Sequence, residues 1–400
     1  MQRFLMNKYL VIGISDHEHF VLPDEVRALL PQHQYFSGGR RHHLRMQQYL
    51  PAKYEWIDIT GNIPGLIRRY KQLDGTVVIF ASGDPLFYGF ANSLRRYDPE
   101  AEMRVYPYFN SVQLLCQRSN IAYAGLYNTS VHGRGWDELD TALIRRAQLI
   151  GVLTDDKKTP ATIAKRLLEY GYDNYTMIVG EALEGVDEKI RTFSLSTAAA
   201  GLFHPLNCVL LVENVPRQKW MGIPDTLFEG LPNRPNMITK MPIRLLSISQ
   251  LDLFRRQVLW DIGFCTGSVA IEAKNNFPDL QVVGFEKREE CDALLDRNAA
   301  NFGVPGIIKV MGDIFEQDLA TYPLPDAIFI GGHGNRLSEL MSVLDQYLIT
   351  GGRVVMNAVK TESKVQFEEA VTKLGYQLHI PVAITIDEHN PITVLTAEKI

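Results

Sequence analysis

The segment WDIGFCTGSVAIEAK, Trp260–Lys274, constrains the fold of this chain more than any other. An apolar run, Leu259–Ile262, reads as a strand and carries the acidic Asp261 near its end. Gly263 lets the backbone turn sharply, and Gly267 lets a ligand or the following helix come close. Ser268–Asn275 then reads as a helix, whose first turn offers free N–H groups. Strand, glycine turn and helix in this order open an α/β sheet, and a ligand is expected beyond the strand's carboxyl end.

Two later strand ends fit the same site. The run Gln281–Phe285 ends in Glu286, whose carboxylate can accept both hydroxyls of a ribose. The run Ile307–Met311 ends in Gly312-Asp313-Ile314, where Asp313 can accept from an adenine amino group with Ile314 beside it. With Asp261, Gly263, Cys265, Thr266 and Gly267 these residues form a candidate adenosine site. The G-x-x-x-x-G-K-S/T phosphate loop of ATP sites is missing, and so is the G-x-G-x-x-G of dinucleotide sites. S-adenosylmethionine has no phosphates and fits without them.

The second half continues in the same rhythm. Strands are expected at Asp326–Ile330 and Arg353–Ala358, helices at Glu289–Phe302, Arg336–Leu348 and Lys364–Leu374, and two strand-like stretches at the end. The first half also alternates, with strands at Tyr9–Ile14, Thr76–Ala81, Leu149–Thr154, Thr176–Gly180 and Cys208–Val212. Helices are expected at Ile63–Leu73 and Ala161–Tyr170. Five prolines and two glycines interrupt this pattern between Glu213 and Pro242. The expected division is a first α/β domain over 1–213, a linker over 214–235 and a Rossmann-like second domain over 236–400.

A chain of 400 residues, 46% hydrophobic and 22% charged, suits two globular domains. Its net charge of -5 argues against a nucleic-acid binder. Cys116, Cys208, Cys265 and Cys291 have no metal-ligand or redox spacing and suit a reducing cytoplasm. The opening MQRFLMNKYLVIGI reads as a first strand rather than a signal peptide, and no apolar run reaches the length of a membrane span.

The turn residues Asp261-Ile262-Gly263, Thr266-Gly267-Ser268-Val269 and Ile271-Glu272-Ala273, with Ile238-Thr239-Lys240 before and Phe329-Ile330-Gly331-Gly332 after, resemble the precorrin methyltransferases that act at carbon 15 and decarboxylate. That family has glycine at the centre of the turn, where this chain has Cys265. A nucleophilic role for Cys265 is disfavoured, since methyl transfer needs no covalent intermediate. In the first half, Ser82-Gly83-Asp84-Pro85, Ser130-Val131-His132-Gly133-Arg134, Val152-Leu153-Thr154-Asp155, Val179-Gly180-Glu181 and Pro205-Leu206-Asn207 are each ordinary loop punctuation alone. Together they resemble the tetrapyrrole methylases acting at carbon 5. The family's first loop, Gly-x-Gly-Pro-Gly, reads here Gly13-Ile14-Ser15-Asp16-His17. Nearly the whole chain is similar to the bifunctional precorrin-6Y methyltransferases of cobalamin synthesis.

The resemblance implies a two-lobed methylase domain, split near Pro107–Ser111, ahead of the Rossmann-like domain. It implies S-adenosylmethionine in both, held by Ser82, Gly83, Asp84, Asn110, Ser111 and Thr154 in the first and by Thr239 with the turn residues in the second. The substrate implied is a precorrin rich in carboxylates, methylated at its own electron-rich ring carbons. Arginines grip carboxylates bidentately, which makes Gly38–Arg45 and Arg134 candidates; a solvated helix end explains the former equally well. Lys240 and Arg244 could orient the acetate that loses carbon dioxide, and His333 could reach a substrate carboxylate. The run Asp16-His17-Glu18-His19 is a poor metal site, because adjacent residues seldom converge on one ion. Self-association is expected by analogy. The alternatives are a fused methyltransferase on another substrate, or one half serving only as a binding module.

Overall fold

The computed structural model describes residues 8–15, 17, 19–234, 236–386 and 391–400. Met1–Asn7 of the opening run, and Asp16 and Glu18 of the acidic and histidine run, lie outside them.

The first half holds two five-stranded sheets. The first contains β1 (Lys8–Ile14), β2 (Tyr35–Gly38), β3 (Glu55–Asp58), β4 (Val77–Ser82) and β5 (Glu102–Tyr106), with helices α1 (Asp24–Leu29), α2 (Arg40–Met46), α3 (Ile63–Tyr70) and α4 (Phe90–Tyr97) between them. Its order is β3-β2-β4-β1-β5, and every pairing is parallel. Alternation explains this burial. Leu10, Ile12, Phe36, Val78 and Phe80 pack on one face, and Tyr9, Val11, Ile57, Val77 and Ile79 on the other.

The chain then crosses through α5 (Ser111–Arg118) to the second sheet, as the split near Pro107–Ser111 requires. Its elements are β6 (Tyr127–Ser130), α6 (Asp137–Ile144), β7 (Leu149–Leu153), α7 (Pro160–Glu169), β8 (Tyr175–Glu181), β9 (Lys189–Ser194), α8 (Leu195–Ala199) and β10 (Asn207–Glu213), in strand order β6-β7-β10-β8-β9.

The second half contains α9 (Met241–Leu251), β11 (Val258–Ile262), α10 (Ser268–Asn276), β12 (Gln281–Glu286), α11 (Asp292–Phe302), β13 (Ile307–Met311), β14 (Ala327–Ile330), α12 (Leu337–Asp345), β15 (Arg353–Ala358), α13 (Thr361–Lys373), β16 (Gln377–Leu378), β17 (Val382–Ile384) and β18 (Ile392–Glu398). The order is β13-β12-β11-β14-β15-β18-β16, with β17 on β18. The first five strands run parallel and β18 is antiparallel to β15. Trp260, Ile262, Phe285 and Ile330 face one core; Leu259, Val282, Phe329 and Val355 face the other. Because β11 connects outward to β12 while β14 lies on its other side, the sheet's switch point falls between β11 and β14. Among the described residues three strands, β16 to β18, follow α13 instead of the expected two.

Compact units divide the chain between Val212 and Glu213 and also within the first half. Residues 134–148 and 164–175 belong with 213–400, and the rest of the first half forms the other unit. The reason is polar. Arg146 Nη2 donates to Phe302 O at 2.8 Å, Tyr172 Oη to Gly303 O at 2.6 Å and Arg217 Nη2 to Asn301 O at 2.7 Å. These groups satisfy the open carbonyls at the end of α11. The stretch expected as a linker is also packed: Ile223, Phe228 and Leu231 are buried against Ile271 and Leu295. Among the described residues no helix is long and apolar enough to cross a membrane.

Candidate functional site

A cavity of about 590 Å³ opens at the carboxyl ends of β11, β12 and β14. Its floor is the turn after β11. Gly263, Cys265 and Gly267 have φ of 77°, 51° and 74°, all left-handed. A side chain at Gly267 would come within 2.1 Å of Leu295 Cδ1, and one at Gly263 within 3.0 Å of Gly332 N. Glycine is therefore required at both ends of the turn. Cys265 takes up the left-handed conformation although it has a Cβ, at a cost of about 1–2 kcal/mol. Its buried Sγ donates to Met237 O at 3.3 Å, and burial raises its pKa, so the thiol stays protonated. That is the behaviour of a packing residue.

Asp261 lies beneath this turn, 1% exposed. Its Oδ2 accepts from Ala270 N at 3.0 Å, while Oδ1 is buried without a partner among the described residues. Burial, aided by the charge of Glu286, pushes its carboxyl up to about 7 against the pull of the Ala270 hydrogen bond. Thr266 Oγ1 is likewise buried at the cavity wall with no partner among the described residues. Buried polar groups are normally hydrogen-bonded, so two such atoms at a cavity wall fit a ligand site.

Glu286 closes the opposite side. Its Oε2 accepts from Cys265 N at 3.1 Å and from Arg288 Nη2 at 2.6 Å; its Oε1 accepts from Lys287 N and Arg288 Nε at 2.9 and 3.0 Å. Burial pushes this carboxyl up, and the Arg288 bonds outweigh it and hold the group below its ordinary value. Asp313 Oδ1 accepts from Phe315 N at 3.2 Å, and Arg336 lies 3.8 Å from Oδ2 and stacks 3.7 Å over the Phe315 ring. Thr239, Lys240, Ile314 and His333 also line the cavity.

Arg244 does not reach it. The guanidinium is fully buried, bonded to Glu272 Oε2 at 3.2 Å, Asp225 Oδ1 at 3.1 Å and Thr239 O at 2.7 Å. Orienting a substrate acetate is corrected to holding together α9, α10 and the preceding segment. Spacing puts Arg244 near the site but leaves its direction open; the helix turns it inward.

In the first unit, Gly13, Gly83 and Tyr108 bring three strand ends into backbone contact. A side chain at Gly13 would come within 2.1 Å of Gly83 O and 2.6 Å of Tyr108 N. Ser82 Oγ lies 3.1 Å from Arg41 Nη2 and 3.0 Å from His42 Nε2, so part of the basic run after Gly38 faces the Ser82–Asp84 loop. Asp84 Oδ1 accepts from Leu86 N at 2.9 Å. Asn110 is buried and caps α5 ahead of Ser111, accepting from Gln113 N at 2.8 Å. Thr154 Oγ1 donates to Asn207 O and Oδ1 at 2.7 Å. Arg134 belongs to the other compact unit, just before α6, and its Nη1 lies 3.4 Å from Glu138 Oε1 in the first turn of that helix.

Two family models match this chain: the tetrapyrrole (corrin/porphyrin) methylases over residues 11–199 and a precorrin methyltransferase domain over 233–397. A precorrin-6Y C(5,15)-methyltransferase [decarboxylating] from Sinorhizobium sp is 33% identical over 396 residues, covering 97% of this chain and 93% of the relative. The chain belongs to the precorrin-6Y C(5,15)-methyltransferase family. A second member, from Mycobacterium tuberculosis (strain CDC 1551 / Oshkosh), is 30% identical over 378 residues and 92% of each chain. A cobalt-precorrin-6B C(15)-methyltransferase (decarboxylating) from Salmonella typhimurium is 37% identical over 139 residues, 35% of this chain and 70% of the relative. Members of this family are methyltransferases, and this chain is an enzyme of that class.

Several cavity residues carried no sequence signal of a site. Asn357, at the end of β15, lines the cavity; its Oδ1 lies 3.0 Å from Ser247 Oγ, and its Nδ2 is buried without a partner among the described residues. Lys287 and Arg336 line it too. Arg288 was legible in principle, as a cation two residues past the acid that ends β12.

Proposed function

We propose that this enzyme methylates a precorrin at carbons 5 and 15 and removes carbon dioxide from its ring C acetate side chain, in cobalamin biosynthesis, with S-adenosylmethionine as methyl donor. The first half is assigned carbon 5, and the second half carbon 15 and the decarboxylation. The observation that carries this reading is the left-handed turn Gly263–Gly267 with Asp261 and Glu286 on either side, at the switch point of a parallel sheet.

The residues present fit the donor. Asp261 Oδ1 and Thr266 Oγ1 are polar, buried and unpartnered, and the glycine turn leaves the space that a Cβ would fill. When bound, S-adenosylmethionine supplies an electrophilic sulfonium methyl. Asp261 and Thr266 would hold its amino-acid end, Glu286 the ribose and Asp313 with Ile314 the adenine. Lys240, Lys287 and Arg336 offer cations to the substrate's carboxylates at the cavity wall. The chain thus acts mainly by alignment and water exclusion, and orientation alone can be worth roughly 7–11 kcal/mol. In the first half, Ser82–Asp84, Asn110, Ser111 and Thr154 take the corresponding part. The four described cysteines are buried and free, which supports work in a reducing cytoplasm; self-association belongs to the same reading.

The test is incubation of the full chain with the hexamethylated precursor and labelled donor. Mass spectrometry should show a gain of two methyl groups and loss of one carbon dioxide. An unchanged precursor, with no donor bound by calorimetry, would remove the reading.

A further inference from the structure

His333 stands where the cavity meets the glycine loop after β14. That loop is pinned to the turn after β11: Gly331 N and Gly332 N donate to Ile262 O at 2.8 and 3.2 Å. The imidazole is therefore held one residue from backbone that abuts Gly263. Its Nδ1 is buried and has no hydrogen-bond partner among the described residues. An unmet buried nitrogen carries a desolvation cost, which is relieved where something from outside the chain completes the bond. Burial also lowers the pKa of this imidazole, which favours its neutral form, the form that can act as a base.

We propose that His333 is the proton carrier of the second site, moving a proton from the ring carbon that gains the methyl to the side-chain carbon that loses carbon dioxide. The inference rests on the function proposed above, and the chemistry of that reaction demands such a group. The ring carbon forms its new bond as the donor's carbon–sulfur bond breaks; the donor leaves as a neutral thioether and the conjugated ring becomes cationic. The methylated carbon still bears its hydrogen. When the acetate's C–CO2 bond breaks, its electron pair enters the cationic ring, leaving an exocyclic methylene. That methylene needs one proton to become a methyl group, and the methylated carbon must give one up to restore conjugation. One proton leaves and one arrives, with no oxidation or reduction.

A base that becomes the acid a moment later meets both needs. Among the carboxyl groups in the cavity, Glu286 is held by Arg288 and Cys265 N, Asp313 accepts from Phe315 N, and Asp261, bonded to Ala270 N through one oxygen, is assigned with its other oxygen to the donor's amino-acid end. Lys240, Lys287, Arg288 and Arg336 are cations, suited to holding carboxylates rather than receiving protons.

The test uses the full chain with His333→Ala and His333→Asn, the latter keeping an amide donor near Nδ1 that cannot relay a proton. Donor affinity is measured by calorimetry, and carbon dioxide release with and without added imidazole. Both variants should bind donor within about twofold of the parent and release carbon dioxide about 100-fold more slowly. Imidazole should restore the alanine variant by about tenfold or more. Parental rates in either variant, or an alanine variant indifferent to imidazole, would overturn the proposal. A parent chain that binds no donor would remove the underlying function, and this inference with it.

Discussion

Arg288 grips the carboxylate of Glu286 with two nitrogens, Nη2 at 2.6 Å and Nε at 3.0 Å. Both oxygens that would receive a ribose are thereby engaged before any ligand arrives. On the proposed function a diol entering the cavity would compete with a charged pair, so Arg288 is expected to set the affinity of the site as well as the orientation of Glu286.

Removing the competitor should separate stability from binding. Arg288→Met is expected to destabilise the chain by roughly 1–3 kcal/mol, less than the loss of a fully buried partner because the guanidinium is part-exposed. Its donor affinity should equal or exceed the parent's. Glu286→Gln should weaken donor binding by about tenfold or more. Calorimetry on the two variants, beside urea denaturation, checks both directions.

Asp261 predicts a dependence on pH. Its folded-state carboxyl stands near 7 against an ordinary value of 3.8. The folded chain therefore holds this proton more tightly than the unfolded chain. The group costs nothing below about pH 4, costs more as pH rises and carries its full penalty above about pH 7, at most about 4 kcal/mol. Asp261→Asn should gain melting temperature over the parent at pH 8 while matching it near pH 4, and should bind donor more weakly. Equal melting curves at both pH values would refute the assignment.

Arg244 should behave as scaffold. Arg244→Met leaves Glu272, itself fully buried, without its counter-ion and should cost about 3–5 kcal/mol. Pairing it with Glu272→Gln should recover part of that loss, a coupling that a double-mutant cycle in urea would measure.

Gly13 tests whether the first half works as a site of its own. Gly13→Ala drives a methyl group into Gly83 O and Tyr108 N, so the Ser82–Asp84 loop must move. Methyl transfer at carbon 5 should fall by about tenfold or more while carbon 15 transfer and carbon dioxide release persist, as read by product mass. Equal loss at both carbons would mean that the halves are coupled.

Local chemistry made much of this architecture readable in advance. The run Leu259–Ile262, with Gly263 and Gly267 behind it, specifies strand, turn and helix within a few residues, and β-branched runs mark the other central strands. The least readable elements were the short ones: β16 has two residues, too few to show a period. Cys265 in a left-handed conformation was also beyond local rules, since the turn's other bonds, including Gly267 N to Phe264 O at 2.8 Å, impose it.

Residue order by itself determined the α/β class, the glycine turn between β11 and α10 and the acidic positions at the ends of β11, β12 and β13, because these depend on backbone preference over short spans. Only the tertiary structure decided that Arg244 points into the protein, that Arg288 holds Glu286, and that residues 134–148 and 164–175 pack with the second half. Each of those outcomes turns on where a long side chain finds its partner, at separations in sequence that no local pattern encodes.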